Sequence, residues 1–371
     1  LLADLGAEVI KVEPPTGDDY RVIGPMKNGI SSLFTALNRN KKSLTLDLKH
    51  PQAAQTIAAL AQQVDVVVEN FRPGVAERLG VGPEALRRIN PGLVYVSVSG
   101  FGQTGPLSHQ PAYDIIVQAM SGLMEATGEA DGPPTMVGEA VSDVIAGLFA
   151  SWATLAALLQ KQRTGEGQHV DVAMFDTTLS FLVTAVGRYI FTGQPAGRHG
   201  NRHAFSAPFG VYRAADGHFA LAVLNNKLFA TLAALIGVPG FAQDARFATN
   251  PQRVAHRSVL IPLLRQTTVM RTTAEWVSAL EQADVPCGPV NRLDEVFADP
   301  QVQARGIQVD LAHPLGTVAT VASPVRLSAT PVQYRRPPPL LGQHTQEVLH
   351  DWLQSPTADP CQSKPLAQAT S

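Results

Sequence analysis

Few side chains in this chain combine a reactive type with a spacing that suits chemistry, and each has a structural competitor. Asp143 directly precedes the apolar run Val144–Leu159, where the orphan N–H groups and positive dipole end of a helix favour a carboxylate. Local sequence allows plain capping by Ser142 or Asp143. It also allows a nucleophile toward an activated acyl group, held beside the Gly/Pro-rich segment GEADGPPTMVGEA and ionised by accepted backbone N–H bonds. Asp171 and Asp176 in HVDVAMFD are rivals, but five residues apart they share no helix face, so at least one is expected to be structural. Ser99 in VSVSGFGQTG lacks the second glycine of a nucleophile elbow. Glu13 ends EVIKVE, where a dinucleotide-binding fold places the acid that holds a ribose, so a nucleotide-dependent dehydrogenase stays open. His199 and His203 have a helical metal spacing but lie in a loop with no third ligand nearby. Arg198 and Arg202 beside them suit an anion or a solvated loop. Cys287 in DVPCGPV reads as a buried, inert thiol. Asn70-Phe71-Arg72-Pro73-Gly74 follows a predicted strand, at the kind of sheet edge where ligands collect, although turn chemistry alone would explain it.

The elements that must position these groups follow from periodicity. EVIKVE (8–13), SLTLDL (43–48), VDVVVEN (64–70) and LVYVSVSG (93–100) are apolar on both faces. With helical returns over Pro51–Gln63 and Gly74–Arg88, they predict an α/β layer with a parallel sheet covered on both sides. Helices are expected over Tyr113–Ala126, Val144–Arg163 and Val172–Phe191, with Gly128–Gly138 as a loop. Periodicity lapses in GQPAGRHGNRHAFSAPFG (193–210), which marks a domain boundary. A hairpin around Asp216-Gly217 and further helices then make a smaller α+β unit. A strand-like 317–329, a rigid RRPPPLLG, a short helix Thr345–Leu353 and a polar tail complete the chain.

At 371 residues the chain has room for two domains. A net charge of -2 provides no basic field for nucleic acid or an anionic bilayer, so neither is expected as a partner. The two cysteines, Cys287 and Cys361, lie too far apart in sequence to signal a disulfide framework or zinc site, which fits a reducing, cytoplasmic setting. The run Val144–Leu159 is shorter than the roughly 20 residues a bilayer requires and is expected to be a buried helix. The chain opens in mid-pattern at Leu1, so a first strand and its turn are expected to precede it.

Taken together, LLADLGAEVIKVEPP, NRNKKSLTLDLK, VVVENFRPGVAERLG, SVSGFGQTGP, PAYDIIVQAMSGLM, TGEGQHVDVAMFD, VPCGPVNRLDEVFADPQVQARG and PPPLLGQHT resemble the family III coenzyme A transferases, or CaiB/BaiF family, from Leu1 to about Leu349. The resemblance implies a Rossmann-like large CoA-binding domain (1–190, its first strand missing), a linker (191–209), a small domain (210–305) and a return crossing with the rest of the large domain (306–350), while the polar tail (351–371) is expected to be disordered on composition. It implies an interlocked homodimer, acyl-CoA and carboxylic acid as substrates, and no metal or redox cofactor. It places the nucleophile on Asp143, coenzyme A contacts on Leu46, Lys49, Asn70, Phe71 and Arg78, and a tyrosine near the acyl group on Tyr113. A chain without the active-site loop that precedes Leu1 in the family would be an inactive, truncated form.

Within the family, the 2-methylacyl-CoA racemases are similar around Tyr113-Asp114 but carry a histidine at the first position, and tyrosine is a poor acid/base substitute. The formyl-CoA:oxalate transferases carry a glycine run where this chain has HAFSAPFG, so oxalate is disfavoured. GNRHAFSAPFGVY and LNNKLF look most like the branch acting on succinyl-CoA and small dicarboxylates such as glutarate.

Overall fold

The computed structural model describes residues 1–353. Cys361 and most of the polar tail lie outside the described residues, while Asp351–Leu353 belong to the helix Thr345–Leu353. The chain forms two compact units, one of Leu1–Val117, Ala140–Phe181 and Pro300 onward, the other of Gln118–Glu139 and Leu182–Asp299.

The first unit is α/β with parallel sheets. Strands β1 (Val9–Glu13) and β2 (Lys41–Thr45) pair in parallel. A second parallel sheet has the order β3 (Val66–Glu69), β4 (Val94–Ser99), β5 (His169–Ala173). The middle strand β4 is almost wholly buried, the reason its residues are apolar on both faces. On one face Leu86, Ala61 and Ala76 pack with Leu93 and Tyr95. On the other, Ala146, Ala150 and Ala157 pack with Val94, Val96 and Val172.

Those alanines belong to the helix Val141–Thr164, here α1, which ends at Gly165 with φ 77°, a left-handed C-terminal cap that favours glycine. Its acid, Asp143, lies in the first turn and its bases, Lys161 and Arg163, in the last, matching the helix dipole. The expectation of a buried helix needs correction. Ile145, Ala146, Ala150, Thr154 and Ala157 are buried, but Val144, Leu148, Trp152, Leu155 and Leu159 on the opposite face are exposed. By length and composition alone α1 could cross a membrane, yet its small-residue face lies against the sheet.

Two predicted helices are also corrected. Val172 belongs to β5, because HVDVA alternates and completes the sheet beside β4; the helical part divides into Met174–Phe181 and Val183–Thr192. Tyr113–Ala126 divides into Asp114–Met120 and Leu123–Ala126 at Gly122, whose φ of 84° interrupts the turn. The strand expected over 317–329 is confined to Val318–Val321, paired antiparallel with Gln308–Leu311.

The second unit contains the expected hairpin, Phe209–Arg213 with His218–Ala222, and Cys287–Pro289 adds a third antiparallel strand. Trp276 stacks on Phe219 with centroids 6.0 Å apart, in a core shared with Phe229, Phe247, Leu260 and Leu280.

Candidate active site

Contacts link Asp143 to the carboxyl edge of the β3–β4–β5 sheet. Gly100 follows β4, and a Cβ there would lie 2.3 Å from the Ala112 side chain, so glycine lets the segment before the helix Asp114–Met120 cross the strand end. Tyr113 stands at the head of that helix, 77% exposed. Its neighbour Asp114 accepts a 2.7 Å hydrogen bond at Oδ1 from the Ser142 backbone N–H. Val117 from the same short helix packs with Ala146 of α1, which fixes the approach.

Asp114 therefore caps α1 from a distance, and local capping by Ser142 or Asp143 is corrected. The N-cap residue is Ala140, with no side-chain cap, and the Ser142 hydroxyl is buried without a partner among the described residues. None of the described residues donates a hydrogen bond to the Asp143 carboxylate, contrary to the expectation of N–H bonds. Although Asp143 keeps a face open to solvent, its surroundings raise its pKa above the usual aspartate value, first by desolvation and then by repulsion from Asp114. The result is a carboxylate without hydrogen-bond donors, which leaves its oxygen lone pairs available to an electrophile.

Asn70, Phe71 and Arg78 come together on one segment. Asn70 Nδ2 donates to the Val98 carbonyl at 2.6 Å, and the Phe71 N–H donates to Glu69 Oε2 at 2.6 Å. Gly74, with φ 83°, opens the helix Val75–Arg78, and the Arg78 guanidinium folds back within 3.3 Å of where a Gly74 Cβ would sit. Glu69 also bonds Ser97, whose hydroxyl lies 2.9 Å from His169 Nε2. Burial pushes the Glu69 carboxyl up despite the Ser97 and Phe71 hydrogen bonds. Leu46 and Lys49 follow the end of β2, where Leu46 N–H bonds the Glu13 carbonyl and Lys49 N–H bonds Asp47. Helix Ala53–Ala61 separates them from the Phe71 group, packing Leu60 with Leu44 on one side and Ala61 with Leu93 on the other.

The remaining candidates have structural employment. Asp171 Oδ2 accepts the Gln103 N–H at 2.9 Å, and Ser99 Oγ accepts the Gly102 N–H at 3.0 Å, so both shape one turn. Asp176 is exposed in the first turn of Met174–Phe181. Glu13 is buried against Arg21 (2.7 Å) and Ser43 (2.7 Å). Its burial would raise its pKa, but these partners outweigh it and hold the carboxyl below the usual range; its oxygens are committed and unsuited to a ribose. The Cys287 thiol is pushed up by burial and by Glu281. Sequence reasoning passed over Asp114 as an α1 cap, because 28 residues separate it from Ser142. It likewise passed over Glu69, Ser97 and His169, which only strand register brings together.

Comparison with known proteins adds ancestry to this geometry. The profile of CoA-transferase family III matches residues 1–345. The chain is 42% identical over 358 residues to a succinate–glutarate CoA-transferase of Agrobacterium fabrum, covering 94% of this chain and 90% of that one. It is 43% identical over 339 residues to an acetyl-CoA:oxalate CoA-transferase of Acetobacter aceti, covering 91% and 86%. A CaiB/BaiF family protein from Brucella suis superposes with a TM-score of 0.84 at 38% identity, over 95% of this chain and 93% of that chain.

Proposed function

Because this chain belongs to CoA-transferase family III and is a CoA-transferase, we propose that it moves coenzyme A from succinyl-CoA to a small dicarboxylic acid through a thioester on Asp143. The observation that carries the reading is the Asp143 carboxylate itself, without hydrogen-bond donors at the head of α1 and joined through Asp114 to the sheet edge. In this mechanism the Asp143 carboxylate attacks the thioester carbonyl, and the C–S bond breaks to give a mixed anhydride and CoA thiolate. The thiolate then attacks the aspartyl carbonyl, releasing the donor acid and leaving aspartyl-CoA. The acceptor carboxylate attacks that thioester, and the thiolate, expelled a second time, attacks the acceptor carbonyl of the new anhydride and restores Asp143. Coenzyme A enters as substrate, and no metal or redox step is needed because the thioester's energy stays in the aspartyl bond.

In this reading Asn70, Phe71 and Arg78 take the nucleotide end, with Arg78 suited to phosphate and Phe71 to a base; Tyr113, and Leu46 and Lys49 on the other side of the helix Ala53–Ala61, are separate contacts. Tyr113 instead of histidine supports transfer over racemisation, and the commitment of Glu13 to Arg21 and Ser43 argues against a dehydrogenase. The likeness to an acetyl-CoA:oxalate enzyme makes acetyl-CoA and oxalate the second substrate pair to test.

The working form in this proposal is an interlocked, cytoplasmic homodimer. Exposed apolar residues on α1 (Leu148, Trp152, Leu155) and, separately, on Val183–Thr192 (Val183, Ile190, with Phe191 90% exposed) support self-association, since large exposed apolar patches mark association sites. The chemistry is tested by brief hydroxylamine treatment in the presence of succinyl-CoA, which should convert Asp143 to a hydroxamate. Label on Asp171 or Asp176, or parental turnover by Asp143→Asn, would refute the mechanism.

A further inference from the structure

The turn that carries Asn70, Phe71 and Arg78 is held from inside the sheet by a carboxylate that the proposed reaction does not use. Glu69 is the last residue of β3, and its Oε2 accepts the Phe71 N–H at 2.6 Å. One residue on, Asn70 Nδ2 donates to the Val98 carbonyl of β4 at 2.6 Å, so the chain is fastened twice as it leaves the sheet. Within the turn the bonds are local, from the Val75 N–H to the Arg72 carbonyl and from the Arg78 N–H to the Gly74 carbonyl. Asn70 and Arg78 are exposed, while Phe71 is half-buried against the core cluster that includes Ala76.

The carboxylate is itself fixed. Strand register sets Glu69 opposite Ser97 and His169 opposite Tyr95, so all four share one face of the sheet. The Ser97 hydroxyl, on a residue 1% exposed, bonds the Glu69 carboxylate and lies 2.9 Å from His169 Nε2. The His169 ring stands edge-on to Tyr95 with centroids 5.7 Å apart, and Tyr95 donates its hydroxyl to the Val81 carbonyl at 3.0 Å. A hydroxyl has one proton to give. With Glu69 ionised, Ser97 directs that proton to the carboxylate and accepts the His169 Nε2–H in return. Besides His169 from β5, the charged group that faces Glu69 is Glu77 from the helix Val75–Arg78. A backbone N–H bonded to a carboxylate is a charge-assisted pair, stronger than a neutral one, and a turn already ordered spares its ligand the cost of ordering it.

We infer that Glu69 is a positioning residue for coenzyme A: through the Phe71 amide it holds the turn in the form that presents Asn70, Phe71 and Arg78 to the nucleotide end, while Ser97 and His169 hold its carboxylate. The inference rests on the reading of those three residues as coenzyme A contacts. The test compares two thioester substrates of the full chain, succinyl-CoA and S-succinyl-pantetheine, which keeps the reacting end and lacks the nucleotide. Glu69→Ala should raise the KM for succinyl-CoA about tenfold with kcat and the KM for the pantetheine thioester unchanged, since lost uniform binding appears in KM. Glu69→Gln should restore most of the loss, because its amide oxygen can accept the Phe71 N–H while its Nε2–H donates to Ser97. Ser97 then donates to His169 Nε2, so nitrogen NMR of the neutral ring should show the His169 proton on Nε2 in the parent and on Nδ1 in Glu69→Gln. Ser97→Ala keeps the acid and removes its tether; its KM should fall between those of the parent and Glu69→Ala, and it carries the test if melting curves show Glu69→Ala to be unfolded. A parental KM for succinyl-CoA in the folded variants of this pair, or an equal rise for both thioesters, would overturn the inference. Arg78→Gln and Phe71→Leu test the contact reading separately. A parental KM for succinyl-CoA in both would sink that reading and the inference with it, whereas a raised KM in both beside a parental value in Glu69→Ala would sink the positioning role alone.

Discussion

Replacing Asp114 separates two effects that its carboxylate combines. Its 2.7 Å hydrogen bond to the Ser142 N–H is the side-chain cap of α1, and its charge raises the pKa of Asp143. Asp114→Ala removes both, and loss of a charged cap on a long helix should cost about 1–2 kcal/mol. Asp114→Asn keeps an acceptor oxygen and should cost only a few tenths of a kcal/mol. Both variants remove the charge. The nucleophile must be ionised, so the acid limb of the rate profile follows Asp143, and this limb should move to lower pH in both. Desolvation, the larger cause, persists, so the limb should still lie above the ordinary aspartate value. Urea melts measure the first effect, and transfer rates across the acid range measure the second. An unmoved limb in Asp114→Asn, or equal stability of the Ala and Asn variants, would refute the reasoning.

Asp143→Asn should abolish transfer without destabilising the fold. Because the folded pKa is raised, ionisation of Asp143 opposes folding; that penalty grows as pH rises through the unfolded and then the folded value. The Asn variant should therefore be as stable as the parent in acid and equal or better at neutral pH, by less than about 1 kcal/mol for so open a group. Ser142→Ala should leave urea stability unchanged or raise it by up to about 1 kcal/mol, since the buried hydroxyl has no partner to lose among the described residues. Arg253→Ala strands the carbonyls of Ala207 and Phe247 and the Asn226 side chain, and should cost about 3 kcal/mol or more in denaturant. Gly167→Ala would place a Cβ 2.0 Å from the Leu93 carbonyl oxygen, and a loss of about 3 kcal/mol is expected from the same assay. Native sedimentation should give a dimer at all working concentrations, and a monomer that appears on dilution would contradict interlocking.

Features that depend on local pattern were legible before any folding was considered. Apolar runs such as Leu93–Ser99 have to be buried on both faces, which makes a parallel sheet the economical solution. Asp216-Gly217 turns a hairpin, Gly165 ends α1, and Asp143 falls at its start. The motif set also displayed the family across nearly the whole chain. Tertiary structure decided what adjacency in the chain cannot encode. Val172 reads as helical until β4 offers it a partner edge, and α1 reads as buried until only its alanine face meets the sheet. Asp143 resembled a cap because capping is local in most helices, and only folding brings Asp114 across 28 residues to take that role. The charge on Asp143 is set in the same way, by desolvation and by a neighbour distant in sequence, since electrostatic fields depend on distance in space and not along the chain.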